Sequence, residues 1–234
     1  KMTKTNYDVI IIGAGPGGIF SAYELAEKNS DLKIAVFEAG NPLAKRKCPI
    51  DGEKIKSCIQ CKTCAIMSGF GGAGAFSDGK YNITNDFGGT LYEYIGKKKA
   101  IELMKYVDEI NMKYGGGNCK LYSTAGSKFK KLCMQNQLNL LEASVRHLGT
   151  DINYIVLENI YNELKNKVDF HFNTHIDSVD KIDGGYLVES KKGSFSCKEC
   201  VVSVGRSGSK WMEGVCDHLG IKTLSNRVDI GVRV

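Results

Sequence analysis

With 234 residues, 42% of them hydrophobic and 25% charged, the chain has the balance of an ordinary globular protein with room for one sizeable core, which excludes the disordered and collagen-like classes. Its net charge of +6 is scattered among 26 acidic residues rather than gathered into a basic stripe, so nucleic acid is not an expected partner, and no apolar run approaches the roughly 20 residues that span a bilayer. Nine cysteines without a secretory leader read as reduced cytoplasmic thiols rather than as a disulfide framework.

Lys1, ahead of Met2, reads as a vector residue outside the fold. Residues 7–12 form an apolar, β-branched run that stops at a glycine cluster and predicts a strand. Residues 16–28 follow with Ile19, Ala22, Tyr23 and Ala26 at i, i+3, i+4 and i+7, one face of a helix. Residues 33–37 predict a second strand ending at Glu38, so the chain opens β-α-β. From 40 to 85 periodicity vanishes and glycine, cysteine and short polar residues take over, as in a long loop that carries a ligand. Helices are expected over 91–114, stopped by Gly115-Gly116-Gly117, and over 153–167. Strands at 168–173, 186–190 and 194–196, with turn signals at Asp183-Gly184-Gly185 and Lys191-Lys192-Gly193, predict a small antiparallel meander. Residues 201–204 then return as a buried strand ending in Gly205-Arg206-Ser207-Gly208.

Gly13-Ala14-Gly15-Pro16-Gly17-Gly18 matches G-x-G-x-x-G between a predicted strand and a predicted helix, the context that the motif requires. Gly13 permits the tight turn, Gly15 lets the backbone approach a pyrophosphate, and Gly18 lets helix and strand pack closely. The helix N-terminus offers unpaired N–H groups and a partial positive charge to that diphosphate. Glu38, at the end of the second strand, is placed for its carboxylate to accept both hydroxyls of an adenosine ribose, and its charge repels a 2′-phosphate. The pattern addresses a dinucleotide.

The meander, the returning strand and Gly205-Arg206-Ser207-Gly208 together resemble the FAD-binding domain of the glutathione-reductase-like flavoproteins. Four blocks sharpen the likeness: Arg46-Lys47-Cys48-Pro49; the cysteines through Cys64; Ser68-Gly69-Phe70-Gly71-Gly72-Ala73-Gly74-Ala75-Phe76-Ser77-Asp78-Gly79-Lys80; and Val204-Gly205-Arg206-Ser207-Gly208. Over essentially the whole chain they resemble a bacterial family of largely uncharacterised FAD-dependent dehydrogenases.

The resemblance implies an α/β fold, a Rossmann-like FAD-binding domain whose parallel sheet carries an antiparallel β-meander as its crossover. It divides the chain into a βαβ unit with its glycine- and cysteine-rich loop (5–90), a helical insertion (91–150), the meander and return strand (151–215) and the start of a substrate domain (216–234). It implies FAD at Gly13, Gly15, Pro16, Gly17, Gly18, Glu38 and Ala39. Arg46 would lie near the adenosine or pyrophosphate, with Gly71, Gly72, Ala73, Gly74, Ala75, Phe76 and Ser77 running alongside the cofactor. The backbone of Ile176 would meet the adenine, and Gly205 belongs to the same set. Glycines without a Cβ suit that track, since the main chain can lie close to a flat ligand. Members of the family continue beyond Asp229-Ile230-Gly231-Val232-Arg233-Val234, so the chain is expected to be an N-terminal piece.

Cys58, Cys61 and Cys64 form C-x-x-C-x-x-C, with Cys48-Pro49 before them. Such spacing suits an Fe–S cluster or a zinc ion held by four thiolates, a dithiol exchanging electrons with the flavin, or thiols with no cofactor. Cys197 and Cys200 are expected on opposite faces of a strand, and they read, with Cys119, Cys133 and Cys216, as structural. His147 is a candidate proton donor at the flavin, although a lone histidine is more often structural, and Trp211 reads as core. The expected activity is that of an FAD-dependent oxidoreductase acting on a small-molecule substrate or a redox partner. The alternatives are an electron-transfer module with a cluster in the cysteine loop and a non-catalytic nucleotide-binding fragment.

Overall fold

The computed structural model describes residues 5–225 and Ile230. Strand β1 (Thr5–Ile12) runs into the glycine turn, helix α1 (Pro16–Lys28) returns, and β2 (Ile34–Phe37) pairs in parallel with β1. Ile19, Ala22, Tyr23 and Ala26 are buried along the inner stripe of α1. All four residues of β2 are buried, as a strand covered on both faces must be. Short 3-10 turns at Leu43–Lys45 and Gly72–Phe76 precede β3 (Lys80–Ile83). Next come α2 (Leu91–Ile95), α3 (Lys97–Asn111), β4 (Leu121–Ser123), α4 (Phe129–Gln135) and β5 (Ser144–His147). Helix α5 (Gly149–Leu164) leads to β6 (Asp169–His171), β7 (Ile176–Ile182), β8 (Gly185–Ser190), β9 (Gly193–Val202) and α6 (Ser209–His218). Among the described residues no helix is long and apolar enough to cross a membrane.

Six strands form one mixed sheet in the order β6-β2-β1-β9-β8-β7. The first four are parallel, and β7, β8 and β9 are joined as antiparallel hairpins. The fold is α/β and Rossmann-like, with a meander in place of a helix as the crossover into β9. Helices α1 and α5 cover one face, where Val9, Ile11 and Val36 meet Ile19, Ala22, Val156 and Ile160. On the other face Ile10, Ile12, Ala35 and Phe37 share a core with Val179, Val188 and Val215. A second, antiparallel sheet has the order β3-β5-β4. Arg146 of β5 fastens it to Asp108 of α3 through two bonds, Nε to Oδ1 at 3.0 Å and Nη2 to Oδ2 at 2.6 Å.

Several sequence expectations are corrected. The helix expected over 91–114 breaks at Gly96, whose φ of +82° no helix accommodates, and the insertion is not purely helical, because it carries β4 and β5. Residues 168–173 supply β6, a parallel edge strand, and not a member of the meander. The missing meander strand is β7, whose inward positions Ile176 and Val179 are separated by polar residues that break a simple alternation. The strands expected at 194–196 and 201–204 are one continuous β9, which serves both as the last meander strand and as the return strand beside β1.

Cys197 and Cys200 do not lie on opposite faces. Both pack into the core that holds Tyr7 and Ile10 of β1. The alternation of β1 slips at Asp8, where the N–H groups of Asp8 and Val9 both donate to Lys33 O at 2.9 and 3.2 Å. Because β9 stays in register with β1, it slips with it. The two thiols perturb each other's ionisation, which holds Cys197 below and Cys200 above the ordinary thiol range. The expected start of a substrate domain at 216–234 falls in part outside the described residues, as do Lys1 and Met2.

Candidate functional site

The glycine turn is built by close contact. Gly13 has φ +104°, and a Cβ there would lie 2.5 Å from Ser203 O; a Cβ on Gly18 would lie 1.9 Å from Gly13 O. Both residues must therefore be glycine for β1, α1 and the end of β9 to meet. Gly15 is the N-cap of α1, Pro16 occupies the first turn, and no side chain caps the helix. The N–H groups that begin α1 are thus left to a ligand or solvent.

Glu38 is buried at the end of β2. Its Oε2 accepts the N–H of Ala14 at 2.8 Å, and its Oε1 accepts those of Gly40 and Gly69, each at 2.8 Å. One carboxylate thus fastens the glycine turn, the end of β2 and the start of the glycine block. A carboxylate has about four lone-pair sites, and three are engaged, so the expectation that Glu38 accepts two ribose hydroxyls is reduced to one. Ala39 follows, half-buried. Thr174 N donates to Glu38 O at 2.9 Å, and Ile176 opens β7 two residues further on, buried and paired with Ser190 of β8.

The glycine block lies directly on the glycine turn. Gly71 N donates to Ala14 O at 2.8 Å, and a Cβ on Gly72 would come within 3.0 Å of Gly15 Cα. Phe70, fully buried, anchors the block edge-on among Tyr161, Phe170 and Phe172. Arg46 is buried as well. Its Nε donates to Ala65 O (2.9 Å), Nη1 to Phe70 O (2.7 Å) and Gly72 O (2.8 Å), and Nη2 to Ile66 O (2.8 Å). The guanidinium stands 4.8 Å from the Phe76 ring centroid. Burial pulls its pKa down, while Glu38 and Cys64 push it back up. Arg46, expected beside the cofactor, has four of five N–H donors on loop carbonyls and acts first as a staple. On the far side, Asn153 of α5 donates from Nδ2 to Gly74 O at 2.9 Å. Neither Asn153 nor Ser203 stands out in the sequence, since a single polar residue in a helical or strand pattern carries no motif. Gly205, with φ +65°, lies three residues past β9, and a Cβ there would meet only open space.

The four cysteines of the loop do not gather. Cys58 and Cys61 are exposed, Cys48 and Cys64 half-buried, and all are free. Among the described residues no three His, Cys, Asp or Glu side chains converge as metal ligands, so the residues do not fit an Fe–S cluster or a zinc ion. The loop is ordered by other means. Asp51 Oδ1 accepts the N–H groups of Glu53, Lys54 and Ile55 at 2.9 to 3.0 Å, and Thr63 Oγ1 meets His175 Nε2 at 3.0 Å. His147 is exposed at the end of β5, opposite Lys80. Trp211 is half-buried on α6 against the core around Phe37.

Residues 2–43, the opening βαβ unit, match the model described as the Thi4 family. A thiamine thiazole synthase of Phaeosphaeria nodorum is 58% identical over 38 residues, 16% of this chain and 12% of its own length. The family match concerns that unit alone. An uncharacterized protein of Clostridium beijerinckii is 26% identical over 202 residues, 85% of this chain and 31% of its own. Among solved structures, glycine oxidase from Geobacillus kaustophilus superposes with a TM-score of 0.52 at 15% identity, over 93% of this chain and 59% of that one. NikD, an unusual amino acid oxidase essential for nikkomycin biosynthesis, gives a TM-score of 0.50 at 10% identity, over 93% and 55%. The chain shares the fold of these oxidases. It spans less than a third of the length of the curated relatives that it matches.

Proposed function

We propose that the chain is the FAD-binding part of an FAD-dependent oxidoreductase, a dehydrogenase in which hydride or electrons pass between FAD and a small-molecule substrate or redox partner. One observation carries the reading. The glycine turn, the uncapped start of α1 and the glycine block meet main chain to main chain at Gly15 and Gly72. A junction of bare backbone beside a helix N-terminus suits a diphosphate, because its N–H groups and the helix dipole both favour anionic oxygens.

The surrounding residues fit the ADP half of FAD. Gly13, Gly15, Pro16, Gly17 and Gly18 would hold the diphosphate, and Glu38, with Ala39 beside it, would accept one ribose hydroxyl. Gly71 to Ser77 would run alongside, held in place by Arg46. The bound flavin supplies the electron chemistry; the chain binds and orients it. The meander crossover and the oxidase fold support FAD over a nicotinamide dinucleotide. Because the chain spans under two thirds of the two structures it resembles, a second reading is favoured for it in isolation: nucleotide binding without turnover.

Titration of the purified chain with FAD, FMN and NADPH tests the proposal. FAD is expected to bind and FMN to fail, since FMN lacks the diphosphate and adenosine that the glycine turn and Glu38 address. Equal or tighter binding of FMN would overturn it.

A further inference from the structure

Asn153 lies one turn into α5 and is almost wholly buried, at 1% exposure. A buried amide must find partners for both its ends. Oδ1 accepts the hydroxyl of Tyr81, from β3, at 2.8 Å, while Nδ2 donates to Gly74 O at 2.9 Å. The same carbonyl also accepts Ser77 N at 3.1 Å and Ser77 Oγ at 2.8 Å. Three donors on one oxygen leave the peptide between Gly74 and Ala75 a single orientation. Because that peptide is planar and trans, fixing its carbonyl also fixes its N–H.

At the other end of the block Arg46 holds the carbonyls of Phe70 and Gly72. The alternate carbonyls of residues 70, 72 and 74 are thus gripped from outside the block by Arg46 and Asn153, with Ser77 adding a local bond to the last, and between them Gly72 rests on Gly15. A glycine-rich segment has little of its own to hold one shape, so its lie is set from outside. Tyr81 is the link to the second sheet, and Gly79 brings β3 close enough for it: a Cβ there would be 3.1 Å from Asn153 Cβ.

We propose that Asn153 is a positioning residue for the cofactor: through Gly74 it sets Gly72–Phe76 against the glycine turn, and through Tyr81 it ties that setting to the second sheet. The inference rests on the reading of the glycine block as the FAD track. Asn153→Asp keeps the shape and the acceptor for Tyr81 but turns an oxygen toward Gly74 O. Asn153→Ser shortens the side chain away from both partners. Tyr81→Phe removes the second-sheet arm alone.

The experiment is FAD titration of the wild-type chain and the three variants, with the visible absorption band of the bound flavin recorded at saturation and the fold of each apo form checked by circular dichroism. Both Asn153 variants are expected to weaken FAD by about tenfold, the loss of one buried hydrogen bond, and to alter the band shape at saturation. Tyr81→Phe should shift affinity in the same direction by less. If Asn153→Asp does not fold, Asn153→Ser decides. Wild-type affinity and an unchanged band in a folded Asn153 variant would overturn the proposal, since a merely structural residue moves stability without touching the spectrum of saturated flavin. A wild-type chain that binds no FAD would overturn the parent reading, and this one with it.

Discussion

Three N–H groups, from Ala14, Gly40 and Gly69, converge on the Glu38 carboxylate, so this residue shapes the site before any ligand reaches it. Hydrogen bonds to a charged, buried acceptor are the strong ones, and removing the acceptor strands its donors. Glu38→Ala should therefore destabilise the chain without FAD by about 3 kcal/mol in urea unfolding. A loss under about 0.5 kcal/mol would mean that the three bonds carry little. His171 offers a second test at this scale. Its ring stacks on Phe37 at 4.5 Å and meets Tyr7 Oη through Nε2 at 3.1 Å. Burial chiefly lowers its pKa from 6.5, with Asp169 opposing and Lys192 reinforcing. The unfolded chain then takes up the proton first, so stability is full above pH 6.5 and falls as the pH drops below it. The slope contributed is at most about 1.4 kcal/mol per pH unit. Unfolding curves of wild type and His171→Phe, compared over roughly pH 5.5–7, should diverge on acidification. Parallel curves would count against the shift.

Among the elements, the segment between β2 and β3 is held mainly by side-chain staples, and its regular structure is limited to two 3-10 turns at Leu43–Lys45 and Gly72–Phe76. Arg46 gathers the carbonyls of Ala65, Ile66, Phe70 and Gly72, Asp51 closes its own turn, and Phe70 plugs the aromatic cluster. The cysteines take no comparable part. Arg46→Ala should make residues 45–80 sensitive to limited proteolysis and weaken FAD, because four carbonyls lose their donors together. Chelators should do neither. Protection lost on chelation, with Arg46 intact, would restore the metal reading of Cys48, Cys58, Cys61 and Cys64.

Across the whole molecule, the sequence by itself determined the opening βαβ unit, because each signal there is local. The apolar run of β1, the stripe of Ile19, Ala22, Tyr23 and Ala26, and the G-x-G-x-x-G turn all lie within one stretch of chain, and each has a single structural solution. The turns between the later strands were legible for the same reason. Only the tertiary structure decided what depends on partners distant in sequence. Residues 168–173 join the parallel edge because β2 is free there, and Cys197 and Cys200 share a face because β9 copies a slip that begins at Asp8 and Lys33. Glu38, Arg46 and Asn153 took their roles largely from distant backbone groups: Ala14 and Gly69 for Glu38, Phe70 and Gly72 for Arg46, and Gly74, 79 residues away, for Asn153. A carboxylate, a guanidinium or a buried amide declares in sequence only that it needs partners, and the fold alone supplies them.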